Sequence, residues 1–179
     1  THLNSQGNRL GDAILSTAKI GEVCGTTGFL SWCHQVCALY LDQSDNTELA
    51  NRILPGHMLG HSFGGTALSN PMKTFANIES MILRANKVDG GYTVSGTLPW
   101  ISHIAPEQYC GAIASVEADG AVEKNIFFLL SFDEERKGQW KLNPCPTFSG
   151  MEGSSTWQIE LNDYFVPHNT LIADPAAPF

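Results

Sequence analysis

No apolar run in this sequence approaches the roughly 20 residues that a membrane-spanning helix needs, so a helical anchor is excluded within it. Its first residues lack the charged-then-apolar build of a signal peptide. It opens at Thr1 rather than at a methionine, which leaves room for residues upstream. Basic residues are few. Ten Lys and Arg stand against eighteen Asp and Glu, the net charge is −8, and no cluster of five basic residues occurs. Binding to a phosphate backbone needs local positive charge, so nucleic acid is not an expected partner. A disulfide framework also lacks support. The five cysteines are an odd number, in a chain of 179 residues that is long enough to bury a core without covalent staples. A reduced, intracellular setting is expected, cytoplasmic in the first instance, with the mitochondrial matrix as the alternative. Repeats and low-complexity tracts are absent. What is present is an ordinary globular composition, 42% hydrophobic and 16% charged, enough for one core or two small domains sharing one.

The first sixty residues read as helical. Asp12 is placed to cap a helix running to about Val23, and Gly25-Thr26-Thr27-Gly28 breaks the pattern. From Phe29, apolar positions recur at Trp32, Cys33, Val36, Cys37 and Tyr40, with Leu30, Ala38, Leu39 and Leu41 on the other sides, which predicts a largely buried helix. Asp45 and Glu48 resemble a capping box for a short helix that Pro55-Gly56 ends. Beyond Gly60 the period changes. Tyr92–Ser95 and Trp157–Asn162 alternate as half-buried strands do, Cys110–Ala118 is strand-like, and Ile126–Leu130 is apolar on both faces, as in a central strand. Asp89-Gly90-Gly91 and Asp119-Gly120 supply hairpin turns. The pattern predicts an α+β chain: N-terminal helices packed on a compact antiparallel β-barrel or sandwich. Residues 1–60 form the helical part, 61–172 the β part, and 173–179 a linker stub.

One motif points elsewhere. Gly60-His61-Ser62-Phe63-Gly64 matches G-x-S-x-G, the strand-to-helix turn that exposes a nucleophilic serine in α/β-hydrolases. Such a turn needs a buried strand before the serine and a long helix after it. Here Leu54-Pro55-Gly56-His57-Met58-Leu59 precedes it, and Pro71 follows closely. A serine hydrolase is therefore the third-ranked reading.

Three other stretches agree with one another. They are Thr66-Ala67-Leu68-Ser69-Asn70-Pro71, Gly91-Tyr92-Thr93-Val94-Ser95-Gly96-Thr97-Leu98-Pro99-Trp100-Ile101-Ser102, and Gly150-Met151-Glu152-Gly153-Ser154 through to Val166-Pro167. In order and spacing they resemble the acyl-CoA dehydrogenase family, in motif over the middle β domain and in placement over the N-terminal helical domain. The resemblance implies an FAD-dependent oxidoreductase of fatty acid metabolism that removes two hydrogens from an acyl thioester or related substrate. It implies that Trp100 packs beside the flavin ring and that Ser102 donates toward its hydride-accepting nitrogen. Leu68 and Ser69 match the residues at the pyrimidine edge, Thr66 starts their strand, and Ile101 lies between the two main contacts. No catalytic residue is assigned, because the family's carboxylate base comes from a C-terminal helical domain expected beyond Phe179. The implied partners are an acyl-CoA or related substrate, an electron acceptor that is either a carrier flavoprotein or oxygen, and further subunits of an oligomer.

The sequence also departs from the family pattern. Asn70 stands where glutamate is usual, Lys73-Thr74-Phe75-Ala76 replaces a Gly-Ser-Asp turn, Leu98 replaces lysine and His103 replaces asparagine. These departures favour the second-ranked reading, a cofactor-less assembly or binding module of the same fold. The remaining candidates have plainer explanations. Cys33 and Cys37 lie on the apolar stripe without a second pair at zinc spacing, and so read as core thiols. His57, His61 and His168 read as polar surface groups, Trp140 and Trp157 as core or interface residues, and Asp133–Lys137 as a solvated hairpin tip.

Overall fold

The computed structural model describes residues 9–118 and 120–176. Three helices come first: α1 (Arg9–Val23), α2 (Gly25–Asp42) and α3 (Thr47–Met58). A short strand β1 (Gly64–Thr66) leads into helix α4 (Ser69–Phe75). Seven strands follow: β2 (Arg84–Val88), β3 (Gly91–Ile101), β4 (Tyr109–Ala118), β5 (Ala121–Ser131), β6 (Trp140–Pro144), β7 (Trp157–Pro167) and β8 (Leu171–Ala173). They form one sheet in the order β6-β7-β3-β2-β4-β5-β8, with β1 alongside β4. None of the described helices is long and apolar enough to cross a membrane.

The α+β architecture matches the expectation, but the sheet is mixed rather than wholly antiparallel. β1 and β2 both run parallel to β4. Gly64–Thr66 pairs with the start of β4 at Tyr109–Gly111, and Arg84–Ala85 pairs further along at Ser115–Val116. The two strands thus share one edge of β4 end to end, and α4 is the crossover that keeps both running in the same direction.

β5 shows how period two builds two cores at once. Ile126, Phe128 and Leu130 enter a cluster with Val94, Leu98 and Ile159 inside the β half. Phe127 and Leu129 face the other way, into a cluster with Cys37, Leu41 and Leu49 beneath the helices. β4 does the same, with Cys110 and Ala112 on one side and Tyr109 and Ile113 on the other. Gly111 faces the helices, and a Cβ there would lie 2.8 Å from the Tyr40 ring and 3.0 Å from that of Phe127. Only glycine lets α2 come this close to the strand.

Several boundaries differ from those read in the sequence. α2 begins at Gly25, so Gly25–Gly28 is its first turn. The break is Cys24 alone, which is extended at φ −150° and ψ 110°. α3 is capped by Asn46, whose side chain accepts from the Leu49 amide at 3.0 Å, rather than by Asp45. It continues through Pro55 to Met58. The proline removes one helical bond, but His57 beyond it is pinned from three sides, and this tertiary anchoring overrides local propensity. Pro71 does not interrupt α4 because it sits in the first turn, where no intrahelical N–H bond is lost. Asp174–Ala176 is not a free linker. Asp174 accepts from Tyr92 Oη at 2.6 Å and pairs with Lys124 at 2.5 Å, and the buried Ala176 donates its amide to Asn125 at 2.7 Å. Residues 177–179 and Asp119 of the predicted second turn lie outside the described residues. Trp140 packs edge-on against Phe132 at 5.6 Å, and Trp157 lies against the same cluster.

Phe128 is fully buried at the centre of the β core. Phe128→Ala is expected to lower stability by about 3–5 kcal/mol through lost burial and a residual cavity. Leu15→Ala, on the exposed side of α1, should change it by less than about 0.5 kcal/mol. Urea denaturation of both variants checks the contrast.

Candidate functional site

α2 carries Phe29, Trp32, Cys33 and Tyr40 on one stripe, because residues three and four apart share a helix face. That stripe does not pack fully onto the sheet. It forms one wall of a cavity of about 550 Å³. The opposite wall is Thr66 of β1, Leu68, Ser69 and Met72 at the α4 turn, and Trp100 and Ser102 at the end of β3. A volume of this size falls within the range of small-molecule and cofactor sites, about 300–1,000 Å³.

Five of the six residues that the family resemblance singled out, Thr66, Leu68, Ser69, Trp100 and Ser102, line this one cavity. The side chain of Ile101, the sixth, belongs to the β core and is buried. Trp100 remains 61% exposed, with its edge-on neighbour Phe148 at 6.3 Å, so the indole borders open space rather than sheet packing. The two walls are tied by a hydrogen bond of 2.8 Å between Tyr40 Oη and Thr66 Oγ1. Burial pushes the Tyr40 phenol up to about 12, so it remains a neutral hydroxyl. Cys33 is likewise pushed up to about 11 by burial and stays a thiol. Among the described residues none that lines the cavity is charged, and so none there is a carboxylate that could serve as a general base.

Ser102 stands at the end of a hydroxyl chain. Its Oγ lies 2.7 Å from Thr156 Oγ1, which lies 2.7 Å from Ser154 Oγ. If Ser154 donates to Thr156 and Thr156 to Ser102, the Ser102 proton is left free to point into the cavity. The loop is held in place by backbone bonds from the His103 amide to Ser154 at 3.0 Å and from the Ile104 amide to Ser155 at 3.2 Å. Thr156 was not legible as a site residue, because nothing in the sequence marks it as the partner of a serine 54 positions away. Asn70 has a structural task here. Its amide donates to Glu79 at 2.8 Å and to the Ser80 carbonyl at 2.9 Å, and it accepts from the Ile82 amide at 2.8 Å. Lys73 pairs with Glu79 at 3.4 Å.

Behind the cavity, three imidazoles gather between α2, α3 and the end of β3. His57 is fully buried, which corrects its assignment to the surface. Its ring stacks on His34 at 3.7 Å, and His103 lies edge-on to His34 at 5.9 Å. His57 Nε2 donates to the His34 carbonyl at 2.8 Å, so Nδ1 accepts from Tyr109 Oη at 2.7 Å. His34 Nε2 donates back to the His57 carbonyl at 3.1 Å. Tyr109 in turn accepts from Ser62 Oγ at 3.0 Å. Ser62 of the G-x-S-x-G match therefore sits in a bend before a strand, the reverse of the strand-then-helix order that a nucleophile elbow requires. Gly64 is needed for packing: a Cβ there would meet Cys37 Sγ and the Tyr109 ring, each at 2.6 Å.

The same arrangement of helices on a mixed β sheet is found in solved structures of an acyl-CoA dehydrogenase and of a monooxygenase. The structure superposes on glutaryl-coenzyme A dehydrogenase in its glutaryl-CoA complex with a TM-score of 0.78, at 16% identity, over 96% of this chain and 43% of that one. For dibenzothiophene monooxygenase from Paenibacillus sp. A11-2 the TM-score is 0.72, at 18% identity, over 91% of this chain and 39% of that one. In sequence, the chain is 23% identical over 163 residues to mitochondrial isovaleryl-CoA dehydrogenase of Oryza sativa subsp. japonica, covering 89% of this chain and 38% of the relative. No family model matches. The chain is acyl-CoA dehydrogenase-like, and it spans about two fifths of the length of the proteins it matches.

The histidine cluster sets a pH dependence. Burial lowers the His57 pKa from 6.5 to about 4, and lowers those of His34 and His103 as well. The unfolded chain then binds protons that the folded chain refuses. Stability is complete above about pH 6.5 and falls as pH drops toward 4, by about 3 kcal/mol for His57 alone. Urea midpoints at pH 7.5 and 4.5 should show this loss, and His57→Gln should reduce the difference between them.

Proposed function

We propose that this chain is the cofactor-binding part of an FAD-dependent oxidoreductase of the acyl-CoA dehydrogenase type. One observation carries the reading: the residues matched to the family's flavin contacts converge on a single cavity large enough for a cofactor ring. The lining suits such a group. Trp100 offers an uncovered aromatic face, Thr66, Ser69 and Ser102 offer hydroxyls for a polar ring edge, and the uncharged surroundings favour a flat, largely apolar body. When bound, the flavin supplies the capacity to take up hydride, which no protein side chain has.

The chain's own residues do the positioning. Trp100 packs one side of the ring. Ser102, oriented by Thr156 and Ser154, donates a hydrogen bond to it. The Tyr40–Thr66 bond holds the two walls at a fixed separation. For α,β-dehydrogenation of an acyl thioester, the α-proton must go to a carboxylate. Among the described residues none lines the cavity, so in this reading the base would be supplied from outside it. The acceptor for the flavin's electrons would be a carrier flavoprotein or oxygen. A specific observation favours the alternative of a cofactor-less assembly module: Lys73 is wound into α4 and paired with Glu79 rather than left free for a phosphate.

Titration of the purified chain with FAD, followed by flavin fluorescence and by isothermal calorimetry, separates the two readings. Saturable binding is expected, weakened about tenfold or more by Trp100→Ala through loss of the packing face. Ser102→Ala should weaken binding by a smaller factor and shift the flavin absorption band. A chain that binds no FAD would leave the assembly module as the reading.

A further inference from the structure

We infer that the α2 side of the cavity takes an uncharged, ring-bearing group of the substrate and turns away one that ends in a carboxylate. The inference rests on the reading above, in which the flavin occupies the wall formed by β1, α4 and β3 and leaves the α2 wall to the substrate. That wall is aromatic. The Phe29 and Trp32 rings stack on one another, 5.8 Å apart and within 23° of parallel, so the pair gives this wall its aromatic surface. Trp32 is 45% exposed and lines the cavity. Flat aromatic surfaces favour flat or alicyclic groups that can lie against them.

The same wall offers a carboxylate nothing. Among the described residues no Lys, Arg or His lines the cavity, and Cys33 is a neutral thiol. The Tyr40 hydroxyl is engaged with Thr66, and Ser102, on the opposite wall, gives its free proton to the flavin in the reading above. The cation nearest in sequence to the lining is Lys73, beside Met72, and it is paired with Glu79. A carboxylate entering here would lose its hydration without gaining a charged partner, which is strongly unfavourable. Selection therefore comes as much from rejecting the anion as from attracting the ring.

The test uses two probes that share one naphthyl ring, 2-naphthol and 2-naphthoate, titrated calorimetrically into the chain with and without saturating FAD. Binding of 2-naphthol is expected, with 2-naphthoate weaker by about 100-fold. Trp32→Ala should weaken 2-naphthol about tenfold, and Trp32→Phe should restore most of the loss. Because Trp32 is half exposed, the urea midpoint of both variants should stay near that of the parent chain, which separates a lost contact from a lost fold. Equal or tighter binding of 2-naphthoate, no binding of 2-naphthol, or an unchanged affinity in Trp32→Ala would each overturn the inference. FAD binding is read in the same experiment. A chain that discriminates between the naphthyl probes but binds no FAD would sink the flavoprotein reading and leave the cavity's preference standing.

Discussion

The close approach of α2 to the strands β1 and β4 is the constraint on which the rest of the structure depends. It requires glycine at two positions, since a Cβ at Gly64 would strike Cys37 and Tyr109, and one at Gly111 would strike Tyr40 and Phe127. It is sealed by the Tyr40–Thr66 hydrogen bond. Where the contact is tight, α2 buries Cys37 and Leu41 in the helix-side core. Along the neighbouring stripe of the same helix, Phe29, Trp32, Cys33 and Tyr40 border the cavity instead. The site is therefore a consequence of how a single helix is seated.

The three imidazoles, of which His57 is fully buried, belong to the same junction. His34 comes from α2, His57 from α3 and His103 from the segment that follows β3, so the cluster joins α2, which walls the cavity, to α3 and to the end of β3. Reciprocal backbone bonds between His34 and His57 clamp α2 to α3, and the Tyr109 bond clamps α3 to β4. Neutral rings suit this role because stacked imidazolium ions would repel one another in a medium where charge is poorly screened. The arrangement also accounts for the continuation of α3 past Pro55. A helix that loses one bond to proline can persist when the residue two places on is held by three partners.

Much of the β half was legible from residue pattern. The two-faced character of Ile126–Leu130 shows in the sequence because strand geometry alternates sides strictly, and a strand buried on both faces leaves no polar position. The convergence of Thr66, Ser69, Trp100 and Ser102 was legible only through motif order, since nothing local says that a turn and a strand end 30 residues later meet. Other features were not legible at all. His57 reads as a surface residue because a histidine in a polar helical segment looks the same whether solvent or Tyr109 faces it. The parallel pairing of β1 and β2 with β4 depends on where α4 sends the chain, which hydrophobic periodicity does not encode.

By itself the sequence determined the α+β class, the alternating strands, the helical stripe of α2, and the lack of charge that keeps the site apolar. These are properties of side-chain order and local period, and they survive any packing. Tertiary structure alone decided that the stripe of Phe29, Trp32 and Tyr40 is a cavity wall rather than core. It also decided that Trp100 stays uncovered while its neighbour Ile101 is buried, and that Ser102 meets Thr156. The physical reason is that burial is relational. A side chain is core, wall or surface according to how near a distant segment comes, and here that distance is set by the glycines beneath α2.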